Sequence, residues 1–149
     1  MIKRFEQFSS VISGINRYIQ KIERDEMIKY GYKGAYAQYL VALSKAEEGL
    51  TMAKLCEACD KDKAAVSRVV TELIQKELVM KNLEGNKTYK AKISLTPKGR
   101  EAAGYVVDKA KKAVSEVGRE LDRQEREVLY KSLEKIAYNL KRISDEGIE

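Results

Sequence analysis

From Asp62 to Thr71 the chain reads DKAAVSRVVT. These residue types suit the reading of base edges in nucleic acid. Asp62 can accept from the free N–H groups of a first helical turn, which makes it an N-cap. Val66, Val69 and Leu73 follow at steps of three and four, the apolar stripe of a helix. The opposite face then holds Lys63, Ala64, Ser67, Arg68 and Thr71. Small side chains there let a helix come close to bases. Arginine can hydrogen-bond guanine through both arms, and serine or threonine can reach bases or phosphates. Arg68 is the expected base reader, with Ala64, Ala65 and Ser67 shaping the approach.

Such a helix needs elements to hold it. Upstream, Met52 to Cys59 reads as a second short helix, capped by Thr51 and burying Met52, Leu55, Cys56 and Cys59. Downstream, Val79 to Leu83 reads as a strand, Glu84-Gly85-Asn86 as a turn, and Lys87 to Leu95 as a second strand. In that second strand Tyr89, Ala91, Ile93 and Leu95 alternate with Thr88, Lys90, Lys92 and Ser94, the pattern of a half-buried strand. The expected unit is a helix-turn-helix followed by a two-stranded wing. Lys61, Lys63, Lys87, Lys90 and Lys92 would serve phosphates, which position a protein without reading sequence.

The charge supports this placement. The chain of 149 residues carries a net +6, and residues 51–100 hold eleven Lys/Arg against six Asp/Glu. The remaining residues hold eighteen against seventeen. The basic excess thus sits in the candidate reading unit, as a polyanionic partner requires.

Other chemistry is poorly represented. There is no histidine, which removes imidazole catalysis and imidazole metal ligands. No Gly-rich phosphate loop is present. We expect no enzyme activity, no metal and no cofactor. No apolar run is long enough to span a membrane, and the start MIKRFEQFSS lacks a signal-peptide core. A cytoplasmic protein with no membrane partner is expected.

The flanks are helical. Residues 3–29 place Phe5, Phe8, Ile12, Ile15, Ile19 and Ile22 on a heptad-like seam. Gly31 and Gly34 break that helix, and a second runs from about Ala35 to Ala46. Thr96-Pro97 opens a helix reaching about Leu121. Asp122 and Glu125 form a carboxylate capping box for a last helix, Arg123 to about Ser144, whose seam holds Leu129, Leu133, Ile136, Leu140 and Ile143. The fold expected is mainly α with a small β-ribbon. A winged helix-turn-helix at 35–96 is flanked by 1–34 and 97–149, which form a helical dimerisation layer. Either the rest of the chain or a second copy must cover these seams. A dimer is expected, because two reading heads can span successive major grooves, with Phe5, Phe8, Ile12, Leu133, Ile136 and Leu140 as its contacts.

In this order and spacing the chain resembles the MarR family of winged-helix transcription regulators. The resemblance rests on Leu55-Cys56-Glu57, on Asp62 to Arg68, on Leu73 to Val79, and on Leu95-Thr96-Pro97-Lys98-Gly99-Arg100, which is similar to the family's Leu-Thr-x-x-Gly signature. It implies a homodimer on a pseudo-palindromic DNA operator, usually repressing, with recognition helices in major grooves. It also implies release by a small aromatic or anionic ligand, and would set Tyr32, Tyr36 and Tyr39 near that ligand's cleft. The chain departs from the family in its wing. Asn86 to Lys90 has no Asp-x-Arg pair, and lysine is a point charge where arginine is a planar fork. Asp60-Lys61 also stands where the family commonly has glycine and an apolar residue.

Two rival readings remain. A winged helix can serve as a protein- or RNA-interaction module. Alternatively, Cys56 and Cys59, a C-x-x-C pair three residues apart on one helix face, could make a redox-responsive regulator. The same cysteines fall on the apolar stripe with Met52 and Leu55, where free cysteine packs as a small hydrophobe.

Overall fold

The computed structural model describes residues 1–82 and 91–148. Helix α1 spans Ile2–Lys29, α2 Tyr36–Ser44, α3 Met52–Cys59, α4 Lys63–Gln75, α5 Pro97–Val117 and α6 Arg123–Glu146. Strands β1 (Leu50–Thr51), β2 (Val79–Asn82) and β3 (Lys92–Leu95) form one antiparallel sheet in the order β1-β3-β2. The chain divides into two compact units, Met1–Lys111 and Lys112–Glu149.

The first unit holds the core. Met27 of α1 packs with Tyr36, Tyr39, Leu40 and Leu43 of α2, with Leu55 and Cys59 of α3, and with Val66, Val70 and Leu73 of α4. Leu78, Val79, Ile93 and Leu95 extend it into the sheet, and Ala102, Ala103 and Val106 of α5 close it. The α4 stripe therefore buries Val70, while Val69 is half-buried at its edge. Ile93 and Leu95 point inward and Ser94 does not, as the period of two requires.

Three expectations are corrected. The ribbon is part of a three-stranded sheet: Leu50 pairs with Ile93, and Thr51 with Lys92. Its third strand is only two residues long, too short for any periodicity to mark. Gly49 makes the pairing feasible. It sits at φ +83, and a Cβ there would lie 2.5 Å from the Ile93 carbonyl oxygen. Second, α2 is shorter than 35–46 at both ends. Third, α5 stops at Val117 and gives way to a 3₁₀ turn at Gly118–Glu120, where glycine weakens the helix. Strand β2 ends at Asn82; Leu83, the expected turn 84–86 and the expected strand residues 87–90 lie outside the described residues.

The second unit is the end of α5, the 3₁₀ turn and α6. The capping box is present. Asp122 Oδ1 accepts from the Glu125 amide at 2.8 Å, and Glu125 Oε2 accepts from the Asp122 amide at 2.8 Å. None of the α6 residues is buried.

Candidate nucleic-acid interface

The turn before α4 is tightly specified. Asp60 adopts the left-handed conformation at φ 50. The Lys61 amide then reaches the Cys56 carbonyl at 3.1 Å and the Asp60 amide the Glu57 carbonyl at 3.3 Å, a Schellman stop for α3. Asp60 thus takes the conformation that glycine usually supplies. Asp62 caps α4 as expected, its Oδ1 accepting from the Ala65 amide at 2.8 Å.

Beyond the cap, Lys63, Ala64, Ser67, Arg68 and Thr71 are all exposed along one face of α4, and Lys61 is exposed beside them. Among the described residues, no ion pair engages Lys61, Lys63 or Arg68. Thr71 donates to the Ser67 carbonyl at 2.9 Å, so its proton stays within the helix. Ala65 is half-buried and sets spacing rather than offering a surface. Lys92 is half-buried on the central strand and stands 3.8 Å from the Glu48 carboxylate. Lys87 and Lys90 lie outside the described residues.

The far end of α4 is locked to the start of α5. Glu77 is left-handed at φ 60. The Leu78 amide bonds the Leu73 carbonyl and the Glu77 amide the Ile74 carbonyl, both at 2.9 Å, a second Schellman stop. Thr96 fastens this stop to α5. Its Oγ1 donates to the Glu77 carbonyl at 2.6 Å and accepts from the Gly99 amide at 3.0 Å, while its own amide bonds the Leu78 carbonyl at 3.1 Å. Lys98 adds a bond to the Lys76 carbonyl at 3.2 Å. Leu95 to Arg100 is therefore a joint between reading unit and α5, fastened by Thr96, Lys98 and the Gly99 amide.

A polar network ties α4 to α2. Tyr36, only 2% exposed, donates to Glu72 Oε2 at 2.5 Å, and Lys33 Nζ meets the same oxygen at 2.9 Å. Burial, and then the Glu72 hydrogen bond, push the Tyr36 phenol up to about 12. The Tyr36 and Lys33 bonds lower the Glu72 carboxyl. Neither Lys33 nor Glu72 stood out in the sequence. Their side chains meet across 39 residues, which no local pattern encodes.

Of the expected ligand tyrosines, Tyr36 and Tyr39 are core residues and Tyr32 is half-buried against that core. An open cleft of about 690 Å³ lies elsewhere in the first unit, with Leu43, Met80, Asn82, Ser94, Arg100 and Val107 among its walls. Among the described residues Arg100 is the one cation lining it, and Glu47 and Glu48 line it too. As a residue of the α5 first turn it was passed over. Cys59 is buried at 7% exposure, and burial, followed by the neighbouring Cys56, pushes its thiol up to about 11. Cys56 is half-buried. A buried thiol of that acidity is a poor nucleophile, which argues against the redox reading.

The seam residues face water. Phe5 is 68% exposed and Leu140 54%; Phe8, Ile12 and Ile136 are exposed as well, and Leu133 is half-buried. Among the described residues no group of three His, Cys, Asp or Glu side chains could hold a metal ion. None of the described helices is long and apolar enough to cross a membrane.

A capped reading helix, a left-handed turn before it and two strands after it that join β1 in one sheet define a winged helix-turn-helix fold. Residues 30–84, which contain α2 through β2, match the MarR family model. Solved structures share the fold. A MarR-family transcriptional regulator from Silicibacter pomeroyi is 22% identical, with 87% of this chain and 86% of that one covered and a TM-score of 0.72. A protein from Listeria monocytogenes assigned to the same family, complexed with 26mer DNA, is 20% identical, with 93% and 89% covered and a TM-score of 0.76. The S. aureus MepR–DNA complex is 17% identical, with 89% and 97% covered and a TM-score of 0.70. No curated protein sequence matches the chain. The chain shares the winged-helix fold of these structures.

Proposed function

We propose that the chain is a sequence-specific DNA-binding transcription regulator, acting as a homodimeric repressor that a small molecule releases. The observation that carries the reading is the exposed α4 face, where Arg68 stands between small residues with no ion pair among the described residues, on a helix capped at one end and locked at the other. Two structures of this fold, the Listeria monocytogenes protein and S. aureus MepR, were solved with DNA. The exposed seams of α1 and α6 support the homodimer, since a second copy can cover apolar surface that the single chain leaves in water. Two reading heads can then span successive major grooves. The cleft beside Arg100 supports the released state. Its walls mix apolar side chains with Arg100 and the carboxylates Glu47 and Glu48, and it touches β2 and β3 at the root of the wing. An amphipathic organic molecule that can meet both Arg100 and a carboxylate fits that chemistry, and its entry would act on the strands at the root of the wing.

The test is fluorescence anisotropy with the duplex upstream of the chain's own gene and a scrambled duplex, over a salt series. Wild type is expected to prefer the native duplex by ~10³ or more, with affinity falling steeply as salt rises. Arg68→Ala is expected to cost about 1–3 kcal/mol and to relax one operator position. Equal binding of both duplexes by the wild type would refute sequence reading. It would favour the protein- or RNA-interaction module.

A further inference from the structure

Arg68 and Glu72 are four residues apart on α4, the spacing at which opposite charges on a helix pair. They do not pair here. The Glu72 carboxylate is instead held by the Tyr36 hydroxyl at 2.5 Å and the Lys33 ammonium at 2.9 Å, both through Oε2. Tyr36 is buried in the core and cannot follow Glu72 if it turns away. Lys33 is exposed, at the end of the α1–α2 connection, and adds a charge from outside. Two groups from outside the helix thus occupy an acid that would otherwise be the nearest partner for the candidate base-reading arginine.

We propose that Tyr36 and Lys33 are positioning residues whose task is to sequester Glu72, leaving the Arg68 guanidinium free for a base. This rests on the DNA-reading assignment of α4. If the sequestering groups are removed, Glu72 regains its rotamers and pairs with Arg68, and DNA must break that pair before Arg68 can reach a base. An exposed helical ion pair is weak, so the expected loss is small: operator affinity falls roughly two- to fivefold at low salt. Added salt screens the competing pair and shrinks the loss.

The experiment compares wild type, Lys33→Ala, the Lys33→Ala/Tyr36→Phe pair, and that pair combined with Glu72→Ala. Lys33→Ala changes an exposed side chain, so it reports even if the Tyr36 variant folds poorly. The decisive result is rescue. Glu72→Ala in the double variant should restore wild-type operator affinity, because the competitor itself is gone. General loosening of α4 would not be repaired by a further truncation. Unchanged affinity in the double variant, or no rescue, overturns the inference. A second readout needs no DNA. In ¹⁵N NMR of the free protein, the Arg68 side-chain Nε–H signal should shift in the double variant and return when Glu72→Ala is added. If wild type fails to discriminate between duplexes, the regulator reading falls, and the NMR comparison still decides whether Glu72 is sequestered.

Discussion

Gly99→Ala should cost far more stability than a single methyl group in a first helical turn suggests. A Cβ at position 99 would lie 1.9 Å from the Leu78 carbonyl oxygen and 2.9 Å from its carbon. Both are backbone atoms, so no side chain can swing aside, and about 1 Å of backbone movement is needed to reach even a tight contact. Leu78 has no slack for that movement. Its oxygen accepts from the Thr96 amide at 3.1 Å, and Thr96 Oγ1 is bonded to both the Glu77 carbonyl and the Gly99 amide. Overpacking costs about 1–3 kcal/mol, and each hydrogen bond lost about 1 kcal/mol more. We expect a total of about 2–4 kcal/mol. Gly104 is the control, because a Cβ there meets nothing within 4 Å. Gly104→Ala should stabilise the same helix by about 0.5–1 kcal/mol. Urea unfolding at fixed protein concentration measures both. A Gly99→Ala loss below about 1 kcal/mol, or an equal loss at Gly104→Ala, would refute the argument from close approach.

Two further outcomes are expected. Cys59 should be inert as a sensor. With its thiol raised from 9.0 to about 11, a Cys56→Ser variant should react with a thiol reagent at pH 8 roughly a hundredfold more slowly than an unhindered cysteine, and peroxide should leave operator binding unchanged. Because the folded-state value lies above the unfolded one, the stabilising contribution is complete below pH 9 and is lost as pH rises through about 11. Stability that stays flat across that window would contradict the burial of the thiol. The seams make the other prediction: Phe8→Glu with Leu140→Glu should shift the particle from twice the chain mass to the chain mass in light scattering, and an unchanged mass would show that neither seam carries the dimer.

What could be read in the sequence was what short-range chemistry writes. The caps at Thr51, Asp62 and Asp122 each need one acceptor at a fixed offset from a free amide, so each is visible in a few residues. The α4 face follows from a single period, and β3 from another. Strand β1 was illegible because two residues carry no period, and the mark it does leave, Gly49, resembles any loop glycine. The tyrosines are ambiguous in the sequence for a different reason. A tyrosine at helical spacing is amphipathic, and only the fold shows which end is satisfied. Tyr36 buries its ring and finds Glu72 for its hydroxyl.

The seams carry a deeper limit. Phe5, Phe8, Ile136 and Leu140 are plain as apolar stripes, and their exposure in the chain is plain as well. A core position states its partner, because the rest of the chain surrounds it. A seam left in water states only that a partner is needed. Charge narrows the choice. The basic excess of residues 51–100 leaves the flanks almost neutral, so these helices have little long-range pull on a polyanion and little repulsion against a second copy of themselves. Charge and apolar surface are thus divided between two tasks, one suited to DNA and one to self-association.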